Sequence, residues 1–156
     1  STVHCRTECA MLADTPRIAA RLVVDSDPFA IRQGLEDLSQ TILLGDLKPH
    51  DRGTVEIVLA EVLNNIAEHA YANAPGSIEV EIQLTDSHLL CRFVDTGLPM
   101  PNSTLPAGVL PPLDSEDLPE GGFGWHLIRS LSRDLVYRRD GEKNLLTLRL
   151  DTEQSG

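Results

Sequence analysis

The chain has 156 residues, 41% hydrophobic and 24% charged, ordinary proportions for a globular protein and enough length for one domain burying about 70% of its unfolded surface. Its 24 acidic residues outnumber 13 basic ones, for a formal net charge of −11, which argues against general binding to nucleic acid or to an anionic membrane. No apolar run of membrane-spanning length occurs, and the first residues mix Cys, Arg and Glu where a secretory signal would be apolar.

Ser1 to Thr15 show no clean period and read as an N-terminal extension or an edge element; residues 16–152 read as one domain. Cys5 and Cys9 with His4 would make at most half a zinc site, because no second ligand pair follows at a suitable spacing. Cys91 falls in an apolar strand as a buried thiol, and free thiols fit a cytoplasmic location. Arg17 to Asp25 has strand character. Asp27 and Pro28 then suit the cap and first position of a helix, and Phe29, Ile31, Leu35, Leu38, Ile42 and Leu43 recur at helical spacing up to Leu44, with Gly45 as the stop. Leu47 to Asp51 reads as a connector. A second helix follows, because Val55 to Tyr71 runs without Gly or Pro.

Past the turn cluster at Pro75-Gly76, Ile78, Val80, Ile82 and Leu84 alternate with Glu79, Glu81 and Gln83 as a half-buried strand. Leu89 to Asp95 is its neighbour, ending in Thr96-Gly97. The stretch 98–120 carries Pro99, Pro101, Pro106, Pro111, Pro112 and Pro119, and a segment of that length without regular structure is functional or disordered. Gly121-Gly122-Phe123-Gly124 leads into a short helix from Trp125 to Leu131. Leu135 to Arg139, a turn at Asp140-Gly141, and Leu145 to Leu150 close the chain as a hairpin. This order predicts an α+β fold: a two-layer sandwich with helices on one face of a mixed, mostly antiparallel sheet.

Three places carry chemistry. On the second helix, residues four apart lie about 40° from each other, so Glu61 and Asn65 share a face, with Glu68 beside them and Ile57 and Val58 flanking. A carboxylate and an amide in apolar surroundings need polar partners; the competing reading is a water-exposed helix face. Gly122 and Gly124 open a helix, where backbone amides and the positive helix end can face an anion and glycine permits close approach. The lysine of a phosphate-binding loop and the third glycine of a dinucleotide fingerprint are missing. Asp95-Thr96-Gly97 places an acid where it could accept from an amino group, with Gly97 leaving room for a flat ring; the same residues also suit a plain turn.

Taken in order over residues 17–151, these features resemble the GHKL (Bergerat-fold) ATPase superfamily, and within it the anti-sigma factor serine/threonine kinases of bacterial sporulation and stress response. Glu61-x-x-x-Asn65 with Glu68-His69-Ala70-Tyr71 looks like the N box, Val94-Asp95-Thr96-Gly97 like the first glycine box, and Gly121 to Ile128 like the second. Tyr137 to Leu148 looks like the terminal hairpin. The resemblance implies ATP and Mg²⁺ as cofactors. Asn65 would be the metal ligand, Glu61 the catalytic base, and Asp95 the acceptor for the adenine amino group. Gly97 would lie under the base, Gly122 and Gly124 at the phosphates, and Thr147 at the adenine edge, with residues 98–120 as the ATP lid. It also implies a small anti-sigma factor antagonist as substrate, a sigma factor as captured partner, and a homodimer. The chain departs from the family at Leu98 to Asn102, which lacks the usual aromatic and Asp-Pro pair, at Phe123 between the glycines, and in the lid acids Asp114, Glu116, Asp117 and Glu120. Two alternatives stand beside this reading. One is a non-catalytic nucleotide-binding module that only sequesters a partner. The other is a histidine kinase catalytic domain, for which the chain leaves no room for a preceding phosphoacceptor helix pair.

Overall fold

Period-two alternation builds the sheet. The computed structural model describes residues 2–7, 18–107 and 123–152. Its elements are β1 (Thr2–Thr7), β2 (Ile18–Asp25), α1 (Pro28–Ser39), α2 (Ile42–Gly45), α3 (Pro49–His69), β3 (Ser77–Leu84), β4 (His88–Asp95), α4 (Phe123–Leu131), β5 (Arg133–Asp140) and β6 (Lys143–Asp151). The six strands lie in the order β1-β2-β3-β4-β6-β5. One face buries Leu22 and Val24 of β2, Val80 and Ile82 of β3, Cys91 and Phe93 of β4, and Leu146 and Leu148 of β6. The other face leaves Arg21, Glu81, Arg92 and Thr147 exposed. The α+β sandwich expected from the sequence is present, sharpened in one respect: every described pairing is antiparallel. Thr2–Thr7 joins this sheet as an edge strand. Cys9, and with it the half metal site considered with Cys5 and His4, lies outside the described residues. Cys91 is buried as expected, and burial pushes its thiol far above the ordinary range.

The helices begin where local chemistry favours them. The Asp27 carboxylate accepts from the Ala30 N–H at 3.3 Å, and Pro28 opens α1. The single helix expected up to Leu44 is instead two. Ser39 and Thr41 hydroxyls bond back to the Glu36 and Leu38 carbonyls, each at 2.6 Å, and compete with the helix ladder. The short helix α2 then ends at Gly45. The second correction is at Pro49, which starts α3 rather than lying in a connector, since its missing N–H costs nothing at a first helical position.

Helix α3 turns Val55, Val58, Leu59, Val62, Leu63 and Ile66 into the core with β2–β4 and β6, each fully buried side chain contributing about 1.5–3 kcal/mol. Its end is fastened to the end of β4. The Leu98 N–H donates to the Ala70 carbonyl at 2.8 Å. The Tyr71 hydroxyl donates to the Ser77 carbonyl at 2.6 Å and accepts from the Thr96 N–H at 3.0 Å. The hairpin turn between β5 and β6 takes φ +58° at Gly141, the left-handed region glycine favours. These restraints bring the ends of α3 and β4, the start of α4, and β6 around one hollow.

Candidate functional site

Glu61 and Asn65 are half-buried on adjacent turns of α3, facing the start of α4. A Cβ added at Gly124 would stand 2.5 Å from Glu61 Oε2 and 3.3 Å from Asn65 Nδ2. Only glycine leaves the space that these two side chains occupy. The Asn65 Nδ2 is buried and has no hydrogen-bond partner among the described residues, an arrangement that costs about 1–3 kcal/mol if nothing else satisfies it. No partner fixes which amide atom points there, and a half-turn of the carboxamide presents Oδ1 instead. The seam between α3 and α4 therefore suits a ligand acceptor or, through Oδ1, a hard cation. Among the described residues no group of three acidic, His or Cys side chains is placed to hold a metal. A cation at Asn65 would complete its shell with ligand oxygens and water, the habit of Mg²⁺.

Next along both helices lies a cavity of about 220 Å³, lined by Ile66 and Trp125, the residues that follow Asn65 and Gly124 in the chain. Its walls are mainly apolar, with Ala70, Leu98, Pro99, Met100 and Leu146, and its polar groups include Asp95, Asn144 and Tyr137. The Trp125 Nε1 is a second buried donor without a partner among the described residues. Asp95, only 5% exposed, accepts from the Gly97 N–H at 2.9 Å and from Asn144 Nδ2 at 2.7 Å, both on Oδ1. Its Oδ2 has no partner among the described residues and remains the carboxylate's free acceptor. Burial raises the Asp95 pKa above the usual carboxylate value, opposed by the Asn144 amide, the Gly97 N–H and the Arg139 guanidinium.

The structure thus brings Glu61, Asn65 and Gly124 together and sets Asp95 in the adjoining cavity. The other expected residues lie elsewhere. Gly97 does not line the cavity. A Cβ there would strike the Ala70 carbonyl oxygen and stand 2.8 Å from the Ala70 Cβ, so the β4–α3 junction itself needs glycine at this position. Thr147 is exposed on the outer sheet face, and Asn144 and Leu146 hold the cavity positions on β6. Ile57 is 48% exposed and lines a groove between α1 and α3 with Ala60 and Asn64, while Val58 enters the core. Gly122 and residues 108–120 of the expected lid lie outside the described residues. The described lid stem supplies Leu98, Pro99, Met100 and Pro101 as cavity wall. His69 also lines the cavity. Sequence reasoning missed Asn144. The signal was the phase of β6: Leu146, Leu148 and Leu150 point inward, and one further step of two reaches Asn144.

A family described as "Histidine kinase-like ATPase domain" matches residues 26–150, and the chain belongs to this GHKL-type family. Among curated proteins, "Serine-protein kinase RsbW" of Bacillus mycoides (strain KBAB4) is 33% identical over 110 residues, covering 67% of this chain and 68% of that protein. Its namesake from Bacillus cereus (strain G9842) is 32% identical over 106 residues, covering 64% of this chain and 65% of that protein. The one from Bacillus anthracis is 32% identical over 104 residues, with coverage of 64% and 65%. The matched segment spans about two thirds of these relatives' own length.

Proposed function

We propose that this chain is a Mg·ATP-dependent serine/threonine protein kinase of the anti-sigma factor class. It phosphorylates a small antagonist protein, captures a sigma factor, and works in the cytoplasm, with a homodimer as its family-implied state. The observation that carries this reading is the α3–α4 seam. A carboxylate and a buried amide with no partner among the described residues lie one turn apart against the glycine that opens a helix, and the next residues of both helices line a cavity that also holds Asp95. The names of the relatives support kinase activity in the same region.

Bound Mg·ATP would supply the transferable phosphoryl group, with the metal offsetting phosphate charge. The chain supplies position and a base. Asp95 Oδ2 accepts from the exocyclic amino group of the base. Asn65 Oδ1 offers the metal a hard oxygen ligand. The amide of Gly124 and the positive start of α4 face the phosphates. Glu61 Oε2 would hold the partner's hydroxyl and take its proton as that oxygen bonds the γ-phosphorus and the bond from phosphorus to the bridging oxygen breaks, with ADP as the leaving group, a role worth about 10²–10⁴ in rate. Trp125, Leu98 and Met100 wall the cavity against water.

The test is incubation with γ-labelled Mg·ATP and small partners co-purified from the native cell. The expected product is acid-stable phosphoserine or phosphothreonine on the partner. Acid-labile phosphohistidine would contradict the assignment. Nucleotide binding with partner capture but no transfer would replace it with a regulatory binding module.

A further inference from the structure

Asn144 sits 4% exposed at the start of β6, and its carboxamide is saturated. Nδ2 donates to Asp95 Oδ1 at 2.7 Å, to the Leu98 carbonyl at 2.9 Å and to the Gly97 carbonyl at 3.4 Å. Its Oδ1 accepts from the Tyr137 hydroxyl at 2.5 Å and from the Arg139 guanidinium at 3.1 Å. The network continues outward. The Tyr137 oxygen accepts from the Met100 N–H at 2.9 Å, and Arg139 also donates to the Gly97 carbonyl at 2.7 Å. In contrast to Asn65, donors and acceptors on both sides leave this amide one orientation.

One side chain thereby joins two parts of the cavity. It occupies Oδ1 of Asp95, so that Oδ2 is the free acceptor. It also ties down the Gly97–Met100 segment, from which Leu98 and Met100 form cavity wall. We propose that Asn144 is a positioning residue of the nucleotide site. It sets the Asp95 carboxylate and the lid stem in one registered arrangement, so that base affinity depends on an amide whose hydrogen bonds are all made within the protein. This inference rests on the reading of the cavity as the base-binding end of a nucleotide site.

Removing the amide leaves the Leu98 carbonyl and Tyr137 hydroxyl short of a partner and frees Asp95 to turn. The α3–α4 seam is untouched. Asn144→Ala should therefore raise the Kd for Mg·ATP by at least about tenfold, the scale of one hydrogen bond to a charged group, while kcat at saturating ATP stays within about threefold of wild type. Asn144→Asp sharpens the test. Two carboxylates at hydrogen-bond distance share one proton, as like charges in contact must. The groups facing them are Arg139 and Tyr137, with His69 across the cavity. Affinity of Asn144→Asp should be lost at pH 8 and recover as pH falls, relative to wild type titrated in parallel, which cancels the His69 and Tyr137 contributions. A filler of space alone would show no such recovery. Tyr137→Phe, which keeps the ring, should weaken binding about tenfold by loosening the amide and the Met100 N–H together, and keeps the test decisive if the Asn144 variants fail to fold.

Binding of Mg·ATP is read by Trp125 fluorescence and calorimetry on the full chain. No binding by wild type overturns the cavity assignment and this inference with it. Wild-type binding with folded Asn144→Ala, or Tyr137→Phe, within threefold of wild type overturns the inference alone, as does a pH-independent Asn144→Asp.

Discussion

Gly124→Ala separates what the seam does for folding from what it does for chemistry. The new Cβ would lie 2.5 Å from Glu61 Oε2, whereas ordinary contact begins at 3.4 Å, so the carboxylate must retreat by about 0.9 Å. The obstacle is the tip of a flexible side chain, and its displacement costs about 0.5–1.5 kcal/mol as an off-rotamer adjustment. Against this, replacing glycine in a helix gains up to about 1 kcal/mol. Net stability should therefore change by less than about 1 kcal/mol, within roughly 4 °C in melting temperature for a chain of this size. The chemistry should not escape so lightly. A misplacement near 1 Å in a reacting group costs about 10²-fold in rate, or about 2.7 kcal/mol of barrier, and the methyl group also blocks close approach of phosphate to the Gly124 amide. The assay pairs thermal melts with transfer of labelled phosphate from ATP to the co-purified partner. A well-folded Gly124→Ala protein with transfer within threefold of wild type would refute the seam as the reacting centre. A variant that fails to fold would refute the claim that the contact is with a movable side chain.

Three further predictions follow from the same geometry. Asp95→Asn keeps the acceptor for Gly97 and Asn144 but turns the free oxygen into a donor, so Mg·ATP affinity should fall about tenfold or more. Because burial raises the folded-state pKa of Asp95, its contribution to stability is present below its unfolded pKa and lost as pH rises through the folded value. Urea melts should accordingly show Asp95→Asn gaining on wild type from pH 4 upward; a gap that is flat or shrinks with pH would contradict this. Gly97→Ala drives a Cβ against the backbone of Ala70, where nothing flexible can yield, and should lose about 1–3 kcal/mol of stability; an unchanged melting temperature would show that the α3–β4 junction can relax. Thr147→Val, on the exposed outer face, should leave nucleotide affinity unchanged within error, and a clear loss in a titration would place the base elsewhere.

Much of this was legible from residue order alone because its signals are local. The glycine- and proline-free run announced α3 and put Glu61 beside Asn65. Alternation announced β3 and β4 and left Asp95 at a strand end. Asp27 with Pro28 marked the start of α1. What escaped depended on partners distant in sequence. Leu145, Leu146, Leu148 and Leu150 obscure which phase of β6 turns inward, so the resemblance alone supplied Thr147, and the pairing of Asn144 with Asp95 emerges only from the neighbouring strand. The packing demand at Gly97 was hidden because its neighbour, Ala70, lies across a helix–strand junction. Ile57 fell on the groove side of α3 because α1 leaves part of that face open, which helical periodicity cannot foresee. The break after Ser39 arose from hydroxyl-to-carbonyl bonds that a hydrophobic pattern does not register.

The central claim is that the α3–α4 seam and the Asp95 cavity form one site for Mg·ATP. Trp125, the only tryptophan in the chain, stands between them, buried and lining the cavity. Titration of the full chain with Mg·ATP should change its emission saturably at one nucleotide per chain. At about 100 times the Kd, ligand should add roughly 2.7 kcal/mol of stability, a rise of about 5–10 °C in melting temperature. Unaltered emission together with an unmoved melting temperature at millimolar Mg·ATP would contradict the account at its root.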